Sequence, residues 1–201
     1  MVFLWTVVGF AAGSLPFSLW VGRLLAGRDI RGYGDGNPGA ANAWRAGGWR
    51  AGLPALLLDY LKGAVPTGLA HFHAGLGGWE LLPVALAPVV GHAFSPFLRF
   101  RGGKAVVATF GAWTGLTLGE VPIILGLLLG LFLFVQDADA WTVVCGMLGL
   151  GLYLAGVRHT PAPLLAVWAG HMAVLVWKHA ADLRRWPCPR PWLAHLLGRG
   201  P

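Results

Sequence analysis

VPIILGLLLGLFLFV, residues 121–135, decides how often this chain crosses a membrane. The run carries no charged residue, yet it is shorter than the ~20 apolar residues a straight helical span needs. The preceding run, 105–119, is equally short. Together they read as two tilted helices, a partly re-entrant segment, or one broken helix. Further apolar runs lie at 2–22, 52–71, 79–98, 140–157 and 161–178.

Composition supports membrane residence. Of 201 residues, 56% are hydrophobic and 11% charged, against roughly 25% charged in soluble domains. The eleven tryptophans suit the membrane–water boundary. Met1–Val21 lacks a basic start and continues at span length, so no cleavable signal peptide is expected. Cys145 and Cys188 sit in dissimilar surroundings and suggest neither a disulfide framework nor a metal site.

Charge gives topology. Thirteen of the fifteen basic residues fall in three clusters: Arg23–Arg50, Arg99–Lys104 and Lys178–Arg199. Two spans separate the first cluster from the second, and four separate the second from the third. All three therefore share one face, which the positive-inside bias makes cytoplasmic. The expected fold is all-α: a polytopic integral membrane helical bundle of about seven transmembrane helices, N-terminus outside, in one domain over 1–201. Five spans fit if 105–135 is miscounted by two. The net charge of +7 is thus assigned to topology and to anionic lipid or phosphorylated substrate, not nucleic acid. The tail's apolar stretch from Trp192 to Leu197 is expected along the membrane surface.

Three polar stretches interrupt the oil. RGYGDGNPGAANAWRAGG, residues 31–48, holds Gly32, Gly34, Gly36 and Gly39, which let backbone N–H groups converge on an anion. Asn37 and Asn42 add amides, and Arg45 adds a fork suited to phosphate. The residues alone leave open a flexible loop whose arginines only set topology. In the second stretch, Arg101, Gly102, Gly103 and Lys104 lead into an apolar helix whose N-terminus favours phosphate. His92 and Thr109, nearby, read as packing residues. In the third, WKHAADLRRW, His179, Asp182 and Arg184 or Arg185 share one side of a helix end. Asp59 and Lys62, three apart in LLLDYLKGAVP, form a pair that a span requires for structure or uses for function. A compact bundle would gather the three stretches into one pocket at the inner membrane boundary.

These stretches resemble the bacterial PlsY family, the acyl-phosphate:glycerol-3-phosphate acyltransferases. The family's first motif, approximately G-S-G-N-x-G-A-T-N-x-x-R, is matched from Gly34 to Asn42 and at Arg45. GSLPF (Gly13–Phe17) and LDYLKG also look like the family. The second motif is matched at Gly91, His92, Phe100, Arg101 (for Lys), Gly102, Gly103, Lys104, Ala108 and Thr109. The third, approximately H-x-x-N-x-x-R-x-x-x-G-x-E, is matched at His179 and Arg185. Asp35 replaces the motif serine, Ala41 its threonine, Ala105 a glycine and Asp182 an asparagine. The terminal G-x-E is absent. Unless Asp35 and Asp182 pair with nearby arginines, they are expected to weaken anion binding.

The resemblance implies acyl transfer from acyl phosphate to the sn-1 hydroxyl of glycerol 3-phosphate, without cofactor or metal. It implies a multi-pass protein of the bacterial inner membrane with its active site on the cytoplasmic side. Asn37, Lys104 and His179 are the implied catalytic residues. Gly36, Gly39, Asn42, Arg45, Arg101, Gly102, Gly103 and Arg185 are the implied substrate- or phosphate-binding residues. The departures also fit a non-catalytic or substrate-diverged membrane paralogue that binds phospholipid or acyl phosphate. A transporter would be expected to show inverted repeats, and none stands out. No G-x-S-x-G elbow points to a covalent nucleophile.

Overall fold

The computed structural model describes residues 1–196; the expectations for Leu197 and Arg199 lie outside them. Every apolar run is helical. The first run is two helices, α1 (Val2–Ser14) and α2 (Phe17–Ala26). The polar loop follows, then α3 (Ala40–Gly68). Next come α4 (Leu81–Ala93), α5 (Val106–Thr117) and α6 (Glu120–Val135). The last are α7 (Asp139–Leu152), α8 (Ala162–His179) and the short tail helix α9 (Pro191–Leu196).

Runs 105–119 and 121–135 are separate helices. They part at Leu118 and Gly119, whose φ angles of 54° and 129° turn the chain. Among the described residues, three stretches are long and apolar enough to cross a membrane by length and composition: Val2–Ala26, Gly78–Leu98 and Asp139–Val157. α5 and α6 are shorter. Large apolar side chains such as Phe3, Ile123, Leu127 and Phe134 face outward, as expected where the solvent is lipid. The inner core centres on α4, α5, α7 and α8 around Trp113, Met147, Leu150 and Val167.

Two interruptions shape the polar end. Pro16 has no N–H, so it cannot continue the hydrogen-bond ladder of α1. The break exposes carbonyls that lipid cannot satisfy. Lys62 donates to the Leu15 carbonyl at 2.8 Å, and Ser95 donates to the Ser14 carbonyl at 2.5 Å. Lys62 is itself paired with Asp59 at 2.7 Å. Ser18, just beyond the break, donates to the other Asp59 oxygen. The second interruption splits α3 at Gly47 and Gly48, where Gly48 has φ 60° and ψ −156°. Only glycine adopts that conformation readily. The Asp59–Lys62 pair is therefore structural: it closes a broken helix.

The tail is tied to the bundle by backbone hydrogen bonds. It runs back across the α6–α7 turn, where Arg190 N–H donates to the Val135 carbonyl and Asp137 N–H to the Cys188 carbonyl. Trp141 donates to the Arg185 carbonyl at 2.7 Å. Cys145 and Cys188 are both free.

Lys62→Met should leave Asp59 buried and uncompensated, at a cost of about 3–5 kcal/mol. A thermal melt of the detergent-solubilised variant should show a large loss. Replacing Asp59 with Leu as well should recover much of it.

Candidate active site

Loop 31–39, the 99–105 turn and the end of α8 meet at Lys104. Its ammonium lies 2.6 Å from Asp35 and 2.7 Å from Asp182. Asp35 is held by more than the lysine. Its other oxygen accepts from Asn37 N–H at 3.1 Å and from the Asn42 amide at 2.9 Å. Asn42, almost fully buried, also donates to the Asn37 carbonyl, and its oxygen accepts from Arg45 at 2.7 Å. Segment 35–45 thus folds around a carboxylate of its own.

The two aspartates do not pair with arginines, as anticipated for tolerance of a phosphate site. They pair with the lysine expected to hold that phosphate. The reason is topological: Arg45 is taken up by Asn42, while Lys104 projects between the loop and the tail. Partial burial alone would raise the Asp35 carboxyl. Lys104, the Asn37 N–H and the Asn42 amide overcome this and hold it at about 2. Burial likewise opposes the charge on Lys104, but Asp182 and Asp35 outweigh it and raise its affinity for the proton.

The turn carrying Lys104 is built under strain. Arg99, Phe100 and Ala105 all have left-handed backbone, with φ of 52°, 61° and 63°, a conformation that costs non-glycine residues roughly 1–2 kcal/mol each. Packing from below fixes it. Gly103 N–H donates to the His92 carbonyl at 3.1 Å. A Cβ on Gly103 would collide with the His92 ring, and one on Gly102 with the His92 carbonyl. Lys178 donates to the Ala93 carbonyl at 3.0 Å and the Gly102 carbonyl at 2.9 Å. Gly103 N–H is therefore committed to the fold; the Gly102–Gly103 pair acts by close packing beneath Lys104.

The remaining expected residues divide. Gly36 and Arg101 line a neighbouring cleft of about 660 Å³ with Arg31, Pro38, Phe97, Leu98 and Arg99. Gly39 is the N-terminal cap residue of α3. His179 is buried, with Nδ1 2.8 Å from the Leu175 carbonyl, three residues before Asp182 on the same chain end. Arg185 is held by its backbone, through its N–H to Asp182 and its carbonyl to Trp141; its side chain is exposed. His92 supports the glycine turn, and Thr109 donates to the Ala105 carbonyl, so both are packing residues. Sequence reading passed over Lys178, Arg99 and Arg31. Lys178 had one visible signal, a cation at the end of a span; its two carbonyl partners lie more than seventy residues away.

These features define an integral membrane helical protein with a cluster of cationic and amide donors at one end of its bundle. The sequence matches the glycerol-3-phosphate acyltransferase family over residues 3–187. It is 36% identical to glycerol-3-phosphate acyltransferase 1 of Thermotoga maritima, across 89% of this chain and 94% of that protein. It is 38% identical to the glycerol-3-phosphate acyltransferase of Rubrobacter xylanophilus, across 89% and 87%. The fold is similar to the crystal structure of PlsY, an integral membrane glycerol 3-phosphate acyltransferase, in its glycerol 3-phosphate form. That likeness has a TM-score of 0.82 at 27% identity and covers 100% of this chain and 94% of that one. The lysophosphatidic acid form gives a TM-score of 0.80. The chain belongs to the glycerol-3-phosphate acyltransferase family.

Two predictions follow from the site's packing and charge. Gly103→Ala should displace the turn and cut acyl transfer at least tenfold while the helix content by circular dichroism stays intact. The Asp35 carboxylate contributes stability above its unfolded value of 3.8 and loses it as pH falls through about 2. Asp35→Asn should therefore keep the wild-type inflections of the pH–rate profile between pH 5 and 9.

Proposed function

We propose that the protein transfers a fatty acyl group from acyl phosphate to the sn-1 hydroxyl of glycerol 3-phosphate, yielding lysophosphatidic acid and inorganic phosphate. One observation carries this reading beyond family membership: three donors from two segments, the Asn37 N–H, the Asn42 amide and Lys104, converge on one anionic group. Family membership supplies the acceptor. Phosphate oxygens suit the same donors, and the two substrates bring two phosphates to share them.

The chemistry needs no nucleophile from the protein. Acyl phosphate is an activated mixed anhydride. The glycerol oxygen forms a bond to the acyl carbon, the bond from that carbon to the phosphate oxygen breaks, and phosphate leaves. The proton lost by the hydroxyl is balanced on the released phosphate. The enzyme aligns the partners and stabilises charge on phosphate and on the forming oxyanion. Lys104 holds one phosphate. Asn37, Asn42 and Arg45, framed by Gly36 and Gly39, orient the second substrate. Arg101 adds charge from the cleft side, and His179 and Arg185 bound the pocket from the tail.

The same reading assigns about seven membrane helices, an outer N-terminus and a cytoplasmic active site in the bacterial inner membrane. The basic residues support that orientation, since the loop, turn and tail that carry most of them converge on Lys104.

Purified protein given palmitoyl phosphate and labelled glycerol 3-phosphate should form lysophosphatidic acid. Lys104→Ala should lower that rate by about 10²–10³-fold, the usual loss on removing one charge-stabilising donor, with the melting profile retained. Full activity in the variant would remove Lys104 from the site, and no product from wild type would sink the reaction assigned.

A further inference from the structure

Asp35 and Asp182 meet one ammonium from opposite sides. Asp35 comes from the loop before α3 and Asp182 from the turn after α8, and each has an oxygen within 2.7 Å of Lys104 Nζ. Asp35 also occupies the Asn37 N–H and the Asn42 amide. These are the donors that the proposed function gives to substrate. In the ligand-free protein, Lys104, the Asn37 N–H and the Asn42 amide therefore already face an anion that is part of the chain, while Arg45 donates to the neutral Asn42 oxygen.

We infer that Asp35 and Asp182 are specificity-determining residues: they act as an internal counter-anion that a substrate phosphate must displace from Lys104, and so set how tightly phosphate-bearing ligands bind. The inference rests on the assignment of Lys104 to phosphate. It extends that assignment to two side chains the family motif does not supply, since serine and asparagine stand at these places in the motif.

Displacement is feasible because both contacts are only partly buried. The side chains of Lys104, Asp35 and Asp182 keep 25%, 40% and 45% of their exposure. Pairs open to solvent on one side are weak, so each carboxylate holds the site closed by a modest factor. A phosphate dianion brings more charge and more acceptor oxygens than either carboxylate, and it outcompetes them at sufficient concentration. When product phosphate leaves, the carboxylates return to the lysine and oppose its rebinding.

The two aspartates differ in what else they do. Asp35 orders the loop through Asn37 and Asn42. Among the described residues the Asp182 carboxylate hydrogen-bonds to Lys104 alone, so its removal perturbs little else there. Asn at position 35 keeps an acceptor oxygen for the loop and loses the charge.

The test is the binding of inorganic phosphate to the purified full-length protein by titration calorimetry, alongside KM for glycerol 3-phosphate. Asp182→Asn should bind phosphate about twofold to fivefold more tightly. Its KM should fall by a similar factor, and kcat should not rise with it. Asp35→Asn should behave the same way, and the double variant should combine the two gains. In a Lys104→Ala background the gain from Asp182→Asn should vanish, which separates this site from phosphate held by the arginine cleft. Unchanged or weaker phosphate binding by folded Asp182→Asn overturns the inference, whatever Asp35→Asn does. Tighter phosphate binding without acyl transfer by any form would uphold the counter-anion and sink the reaction instead.

Discussion

Two helices of this protein stop inside the bundle, and their carbonyl ends must be met by donors that lipid does not provide. Lysines meet both. Lys62, from α3, takes the Leu15 carbonyl where Pro16 breaks the first run. Lys178, from α8, takes the Ala93 carbonyl at the end of α4. A cation at a helix C-terminus also opposes the negative end of the helix dipole. Each ammonium is then compensated in turn. Lys62 has Asp59, which Ser18 secures from beyond the break. Lys178 has the Gly102 carbonyl and the face of Phe94, 5.4 Å from its ring centroid.

The second of these caps reaches the chemistry. Because Lys178 joins Ala93 to Gly102, the end of α4 and the turn that returns from it are one rigid piece. His92 completes that piece with its carbonyl on Gly103 and its ring under the same residue. The strain of left-handed backbone at Arg99, Phe100 and Ala105 persists because these contacts over-determine the turn. The result is a short loop that presents Lys104 at a fixed height against loop 31–39. A flexible glycine pair would not do this; the glycines serve here as the thin layer that lets His92 approach.

The apolar runs were legible because a membrane imposes one hydropathy pattern on every span. The Pro16 break lay in plain view, in GSLPF. The separation of α5 from α6 was legible only as one of three alternatives: Gly119 and the charged Glu120 part the two runs, but the left-handed backbone at Leu118 has no mark in the pattern. The three cationic stretches were read as one pocket, and their meeting at Lys104 bears on that geometry directly. The partners within the pocket were harder. Asp35 and Asp182 stood out as departures from a motif, yet that they share one lysine depends on segments 147 residues apart in the chain. Arg185 matches a motif and still enters by its backbone, because the tail's WPCPRPW segment is tied to the α6–α7 turn and carries the chain away.

Charge is distributed unevenly at this end of the molecule, and the unevenness has a consequence. Lys104 touches two carboxylates. Arg31 is paired with Asp29 at 2.6 Å, while Arg99 and Arg101 form no ion pair among the described residues. Arg99 and Arg101 therefore contribute uncompensated charge beside the site, whereas a compensated lysine contributes little beyond a Debye length of about 8–10 Å. Gly36 and Pro38 form one wall of that cleft, and Asp35 and Asn37 alternate with them along the same loop. On the proposed function, capture and contact are divided between neighbouring groups: uncompensated arginines add to the attraction of an anion, and the lysine meets it once it replaces the carboxylates.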